Sequence, residues 1–209
     1  MIPVGGLQPG QIRLDHGTNL LGVIEDWGEW VGLFGPEDLK ATHVEVVSKG
    51  GLIGCQNPPA SCLYGITPTT PNPKLSSVYA LKAIALPGRG DVVPGSDPAF
   101  LDALDTEIRA HLHEPYDWSQ IARFTGIGLL ARVTPDEARA LLKDANPLDV
   151  ARGHFGVCSQ WTELRIENAL TATYGIAINL FEGTGVGYLD ARPSDWPLSK
   201  YLYQVEPVG

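Results

Sequence analysis

The chain has 209 residues, 44% of them hydrophobic and 19% charged, with 24 glycines and 17 prolines, the composition of a loop-rich globular chain rather than a disordered one. Its 15 basic and 24 acidic side chains leave a formal charge of −9, which repels DNA, RNA and anionic lipid and argues against nucleic acid as a partner. No apolar run reaches the roughly 18–20 residues of a bilayer span, and residues 1–10 lack a basic start and an apolar stretch; the expectation is one soluble domain over 1–209 with no transmembrane segment and no Sec signal, cytoplasmic by default or exported by another route.

In chain order, Leu7-Gln8-Pro9-Gly10-Gln11-Ile12-Arg13-Leu14 has a Pro-Gly turn feeding a short alternating segment, which predicts an opening strand. Residues 19–34 are apolar without a clean period and read as a short helix plus loop. The strongest β signal follows: His43-Val44-Glu45-Val46-Val47, the turn sequence Ser48-Lys49-Gly50-Gly51, and Leu52-Ile53-Gly54-Cys55-Gln56. A two-residue turn at Lys49-Gly50 would pair Ser48 with Gly51, Val47 with Leu52 and His43 with Gln56.

Residues 57–74, rich in Pro, Thr and Asn, read as a long surface loop. Ser77 to Leu86 alternates as a third strand. Pro98 to His113 has Phe100, Leu101, Leu104, Ile108 and Leu112 on one helical face, and a capping box at Thr134-Pro135-Asp136-Glu137 starts a helix to Ala145. Asp117 reads as the N-cap of a helix through Trp118–Phe124. Cys158 to Leu170 follows Gly153 and Gly156, so Cys158 is placed where a loop becomes an amphipathic helix. The architecture expected is α+β.

Cys55, Cys62 and Cys158 are too few and too irregular for a disulfide framework and suit a reducing compartment, although Cys55 and Cys62 could bridge across a short loop. A thiol at a helix start gains stabilisation of its thiolate from the free N–H groups and dipole of the first turn, and its own N–H can face a developing oxyanion. Such a nucleophile needs a base within hydrogen-bond reach, and His43, on a strand among β-branched residues, is the candidate. Gln56, paired with His43 in the two-residue-turn register, could accept from one ring nitrogen and leave the other facing sulfur.

These landmarks resemble the circularly permuted papain-like cysteine hydrolases of the NlpC superfamily, the YiiX and YaeF type. The resemblance is carried by Leu7-Gln8-Pro9-Gly10-Gln11-Ile12 (like "L-x-P-G-D"), Thr42-His43-Val44-Glu45-Val46-Val47 (like "H-V-G-I-V") and Pro115-Tyr116-Asp117-Trp118 (like "P-Y-D"). Val157-Cys158-Ser159-Gln160-Trp161 (like "Y-C-S-E-L") and Ala191-Arg192-Pro193-Ser194-Asp195 (like "T-P-x-D") complete it. It implies a small antiparallel sheet or half-barrel packed against the Cys-bearing helix and other helices; no cofactor and no metal is expected. It also implies cleavage of an amide bond in a peptide-like, cell-wall-derived substrate through an acyl-enzyme on Cys158, with His43 as base.

The family's third residue, carried over, falls at or beside Gln56. Tyr116 and Ser159 are candidates for contacts to substrate or oxyanion. Three positions depart from the family pattern: Glu45, Gln160 and Val157. Glu45 shares a strand face with His43 and is a second candidate to orient it. The related lecithin:retinol acyltransferase group, with "N-C-E-H-F" about its cysteine, supplies an alternative activity, acyl transfer or hydrolysis on lipid or thioester; a non-catalytic binding module on the same scaffold is a third reading. His111 and His113, two apart on a helix, diverge by about 200° and do not form a zinc pair. Gly183-Thr184-Gly185-Val186-Gly187 lacks the Lys-Ser/Thr of a nucleotide loop and reads as a turn.

Overall fold

A computed structural model describes residues 7–15, 43–57, 60–65, 76–114, 158–185 and 193–205. It is a mixed α+β arrangement. Eight strands are described: β1 (Ile12–Asp15), β2 (His43–Val47), β3 (Leu52–Asn57), β4 (Ala60–Gly65), β5 (Ser76–Leu81), β6 (Ile84–Leu86), β7 (Gly90–Val92) and β8 (Leu202–Gln204). Six of them form an antiparallel sheet in the order β4-β3-β2-β1-β5-β8, and β6 and β7 form a separate hairpin. Two α-helices, α1 (Pro98–Ala110) and α2 (Cys158–Tyr174), pack on each other. Short 3-10 turns lie at Pro94–Ser96 and Pro193–Leu198. Among the described residues no helix is long and apolar enough to cross a membrane.

The opening segment folds as its pattern predicts. The Gln11 N–H donates to the Gln8 carbonyl at 3.1 Å, and Gly10 takes φ +80°, a left-handed conformation that glycine adopts without strain. Period-2 alternation on β1 then turns Ile12 and Leu14 into the core, with Arg13 on the opposite face.

The β2–β3 hairpin forms, but its register is corrected by one residue. The Ser48 N–H donates to Leu52 O at 2.8 Å, the Gly51 N–H donates to Ser48 O at 3.0 Å, and Gly51 has φ +73°. The connection is therefore a three-residue loop closed by a left-handed glycine, not the two-residue turn expected. The pairs are Val46↔Gly54 and Val47↔Ile53. One extra loop residue exchanges the faces: counted on, position 57 rather than Gln56 aligns with His43, and Cys55 joins the face of His43 and Glu45.

Other expectations also change. The stretch 57–74 contains strand β4, paired with β3 from Leu52↔Gly65 to Asn57↔Ala60. The single strand expected over 77–86 is divided at Lys82-Ala83 into β5 and β6, which belong to different sheets. The Pro98 helix ends at Ala110, three residues early: the His111 N–H turns back to Ile108 O at 3.3 Å, and His113 has φ 68°. The helices expected over 19–34, 118–124 and 135–145 lie outside the described residues.

The core lies between one face of the sheet and the two helices. Ile12, Leu14, Val44 and Val46 face Phe100, Leu104 and Ile108 of α1 and Trp161, Ile166 and Leu170 of α2. Asp97 starts α1, accepting from the Ala99 N–H at 2.9 Å, with Pro98 in the first turn. Contrary to the amphipathic pattern expected, the first turn and a half of α2, Cys158 to Glu163, is buried on every side.

Candidate active site

Helix α2 packs against β2 and β3 as well as α1, and its start is seated where those two strands part. The β2–β3 ladder stops at Val46↔Gly54, whereas β2 pairs with β1 as far as His43 and β3 with β4 as far as Asn57. Alternation along β2 directs the backbone groups of even-numbered residues toward β3, as the Ser48 N–H to Leu52 O bond shows. Val44 O thus faces the gap, and the Thr162 hydroxyl of α2 donates to it at 3.5 Å. Cys158, one turn earlier, is the first residue of the helix and is 2% exposed.

On the face of β2 that carries odd-numbered residues, His43 Nε2 lies 3.8 Å from Glu45 Oε1. Arg13, directly opposite Glu45 on β1, brings both Nε and Nη2 to 2.5 Å from Glu45 Oε2. The carboxylate is thereby held between a guanidinium and an imidazole, with 3% of its side chain exposed against 17% for His43 and 20% for Arg13. Cys55 completes the cluster. The His43 nitrogen, Glu45 oxygen and Cys55 sulfur lie within 4.8 Å of one another, which makes these three the residues able to hold a metal among those described.

Cys55 and Cys62 face each other directly across β3–β4 with their sulfurs 3.9 Å apart, and both are thiols. The expected option of a bridge between them is thus not taken. The Cys55 thiol is held far above its ordinary range, first by burial, then by the Glu45 carboxylate, by Cys62 and by Cys158.

Of the residues expected at the site, His43 and Glu45 are brought together, 3.8 Å apart, and Cys158 stands at the start of α2. Gln56 loses the cross-strand argument for its role: its backbone pairs with Ser61, and the corrected register does not align it with His43. Ser159 is fully buried and accepts a hydrogen bond from Trp196 Nε1 at 2.7 Å, so its hydroxyl ties the start of α2 to the 3-10 turn at Pro193–Leu198. Tyr116 lies outside the described residues. Arg13 and Cys55 were not anticipated. The signal for Arg13 was present: a lone basic residue between Ile12 and Leu14 on a strand has to share its face with something polar.

Further along α2, Trp161 Nε1 donates to Glu114 Oε2 at 3.0 Å, and the Arg165 guanidinium lies 5.9 Å from the Trp161 ring centroid, its pKa lowered by burial. Glu167 accepts from the Leu180 N–H at 2.7 Å, and burial pushes its carboxyl up to about 7.

No protein-family model and no curated protein matches the chain. Fold and site together define an α+β protein with a strand-borne imidazole–carboxylate–guanidinium cluster and a cysteine at the start of α2.

Proposed function

We propose that the chain is a cysteine hydrolase with the permuted papain-like arrangement. It cleaves an amide bond in a peptide-like substrate, with cell-wall peptides the first class to try, through an acyl-enzyme on Cys158. The observation that carries this reading is the junction of the α2 N-terminus with the His43 end of β2, Thr162 of the helix on Val44 of the strand. An antiparallel sheet bearing the histidine on its second strand and packed on the cysteine helix supports the fold part of the proposal.

In this mechanism His43 takes the proton of Cys158, and the thiolate attacks the carbonyl carbon. N–H groups at the start of α2 receive the developing oxyanion, and His43 returns the proton to the leaving amine. Water activated by the same imidazole then releases the acyl group. Glu45, braced by Arg13, orients the ring and stabilises its protonated form, the part a carboxylate plays in a nucleophile–base–acid triad.

The test is turnover of a panel of muropeptides, simple amides and acyl esters read by mass spectrometry. Wild type is expected to cleave an amide. Cys158→Ala should abolish this, and His43→Ala should reduce it by roughly 10²–10⁴-fold, both with unchanged circular dichroism. Activity that survives in Cys158→Ala would refute the mechanism, and release of fatty acid from vesicles without amide cleavage would move the assignment to lipid acyl hydrolysis.

One observation favours a second reading, a non-catalytic module: the Cys158 side chain is 2% exposed. Under that reading Cys158 alkylates as an ordinary buried thiol and no member of the panel is turned over.

A further inference from the structure

We propose that His43, Glu45 and Cys55 form a binding site for a thiophilic divalent cation, with Zn²⁺ the best fit. No metal is expected from the sequence, because the grouping exists only in the register set by the three-residue loop. His43 and Glu45 are two apart on β2 and so share a face, and the extra loop residue brings Cys55 of β3 to that face.

The three donor atoms, one nitrogen, one oxygen and one sulfur, lie within 4.8 Å of one another, with His43 Nε2 and Glu45 Oε1 at 3.8 Å. Tetrahedral zinc at about 2.0–2.3 Å from each donor sets donor separations of roughly 3.3–3.8 Å. The cluster therefore needs to contract by about 1 Å at its widest. A mixed nitrogen, oxygen and thiolate set selects zinc-like cations over magnesium or calcium, which take oxygen ligands.

Arg13 holds Glu45 Oε2, and Oε1 lies 3.8 Å from His43 Nε2; a group that fixes a ligating carboxylate in this way typically sharpens a metal site. Two positive charges on the ion meet the Glu45 carboxylate and a Cys55 thiolate, whose proton goes to solvent on binding, and with the Arg13 guanidinium the loaded cluster carries a net charge of +1. Three protein ligands leave the fourth position to water. Cys62, its sulfur 3.9 Å from that of Cys55, lies just beyond the set. The site does not rest on the hydrolase reading, but the two compete for one imidazole: an ion on His43 Nε2 takes the base out of service.

The probes are Co²⁺ and Zn²⁺ added to the chelator-stripped full-length chain. Because the chain has three cysteines, the double variant Cys62→Ser/Cys158→Ser keeps Cys55 as its sole thiol. That variant should bind one Co²⁺ with the near-ultraviolet thiolate-to-metal absorption, and Zn²⁺ should displace it. His43→Ala and Cys55→Ser should weaken Zn²⁺ by more than about 100-fold, beyond the loss typical of an outer-shell group, and Arg13→Gln by about 10–100-fold. Absence of the thiolate band in the double variant, or Zn²⁺ affinity unchanged in folded His43→Ala, would overturn the proposal.

Discussion

Glu45 is almost fully buried, and its partners explain how the fold tolerates it. A carboxylate removed from water needs opposite charge and hydrogen bonds, and Arg13 supplies both from the facing position on β1. Replacing it by glutamine, Glu45→Gln, keeps the shape but leaves the guanidinium without its counter-charge. Denaturant unfolding should show a loss of about 1–3 kcal/mol, and amide turnover should fall with it if the carboxylate orients His43. Ser159 provides the contrast. Ser159→Ala strands the buried Trp196 indole N–H and should cost about 1–3 kcal/mol; with its hydroxyl structural, kcat/KM of the folded variant should stay within about twofold. Glu45 was legible beforehand because period-2 alternation alone places it with His43. Gln56 was not, since its alignment depended on a register that one loop residue decides.

At the scale of elements, consecutive glycines explain that uncertainty. Gly50 or Gly51 could supply the left-handed residue, and local sequence does not say which; the structure uses Gly51. Gly54 lies where β3 comes close to α1, since a Cβ there would lie 2.9 Å from Ile108 Cγ2 and 3.3 Å from its Cδ1. Gly54→Ala should therefore destabilise by about 1–3 kcal/mol through overpacking, and adding Ile108→Val should not recover all of it, because valine keeps the branch methyl. A double-mutant cycle in denaturant measures the coupling. The cysteine helix was legible from the glycines that precede it in sequence, but not its run to Tyr174, four residues past the end expected at Leu170, nor its burial on every side, which follows from packing against α1, β2, β3 and the turn carrying Trp196 together. Strands β4 and β8 were missed for a related reason: both are edge strands of the sheet, and their pairing, not their own pattern, makes them strands.

At the scale of the whole molecule, a net charge of −9 coexists with a buried acid. Glu167 titrates at about 7 when folded, against an ordinary value near 4.5 when exposed. A carboxyl raised in this way binds its proton more tightly in the native state, so its contribution is present below about pH 4.5 and is lost as pH rises through 7. Wild-type unfolding free energy should fall across that window by up to about 3 kcal/mol from this group, and Glu167→Gln should flatten the slope and be the more stable protein at pH 8. The proposed hydrolase depends on Cys158 at the helix start reaching His43 at the strand start. Its most direct test is the pH dependence of Cys158 alkylation in chelator-treated protein, site-assigned by mass spectrometry. A thiolate paired with His43 reacts well below pH 8, and His43→Ala shifts its profile upward toward the ordinary cysteine value of about 8.5. A profile that already titrates at or above that value in the wild type, and does not move in His43→Ala, would contradict the account.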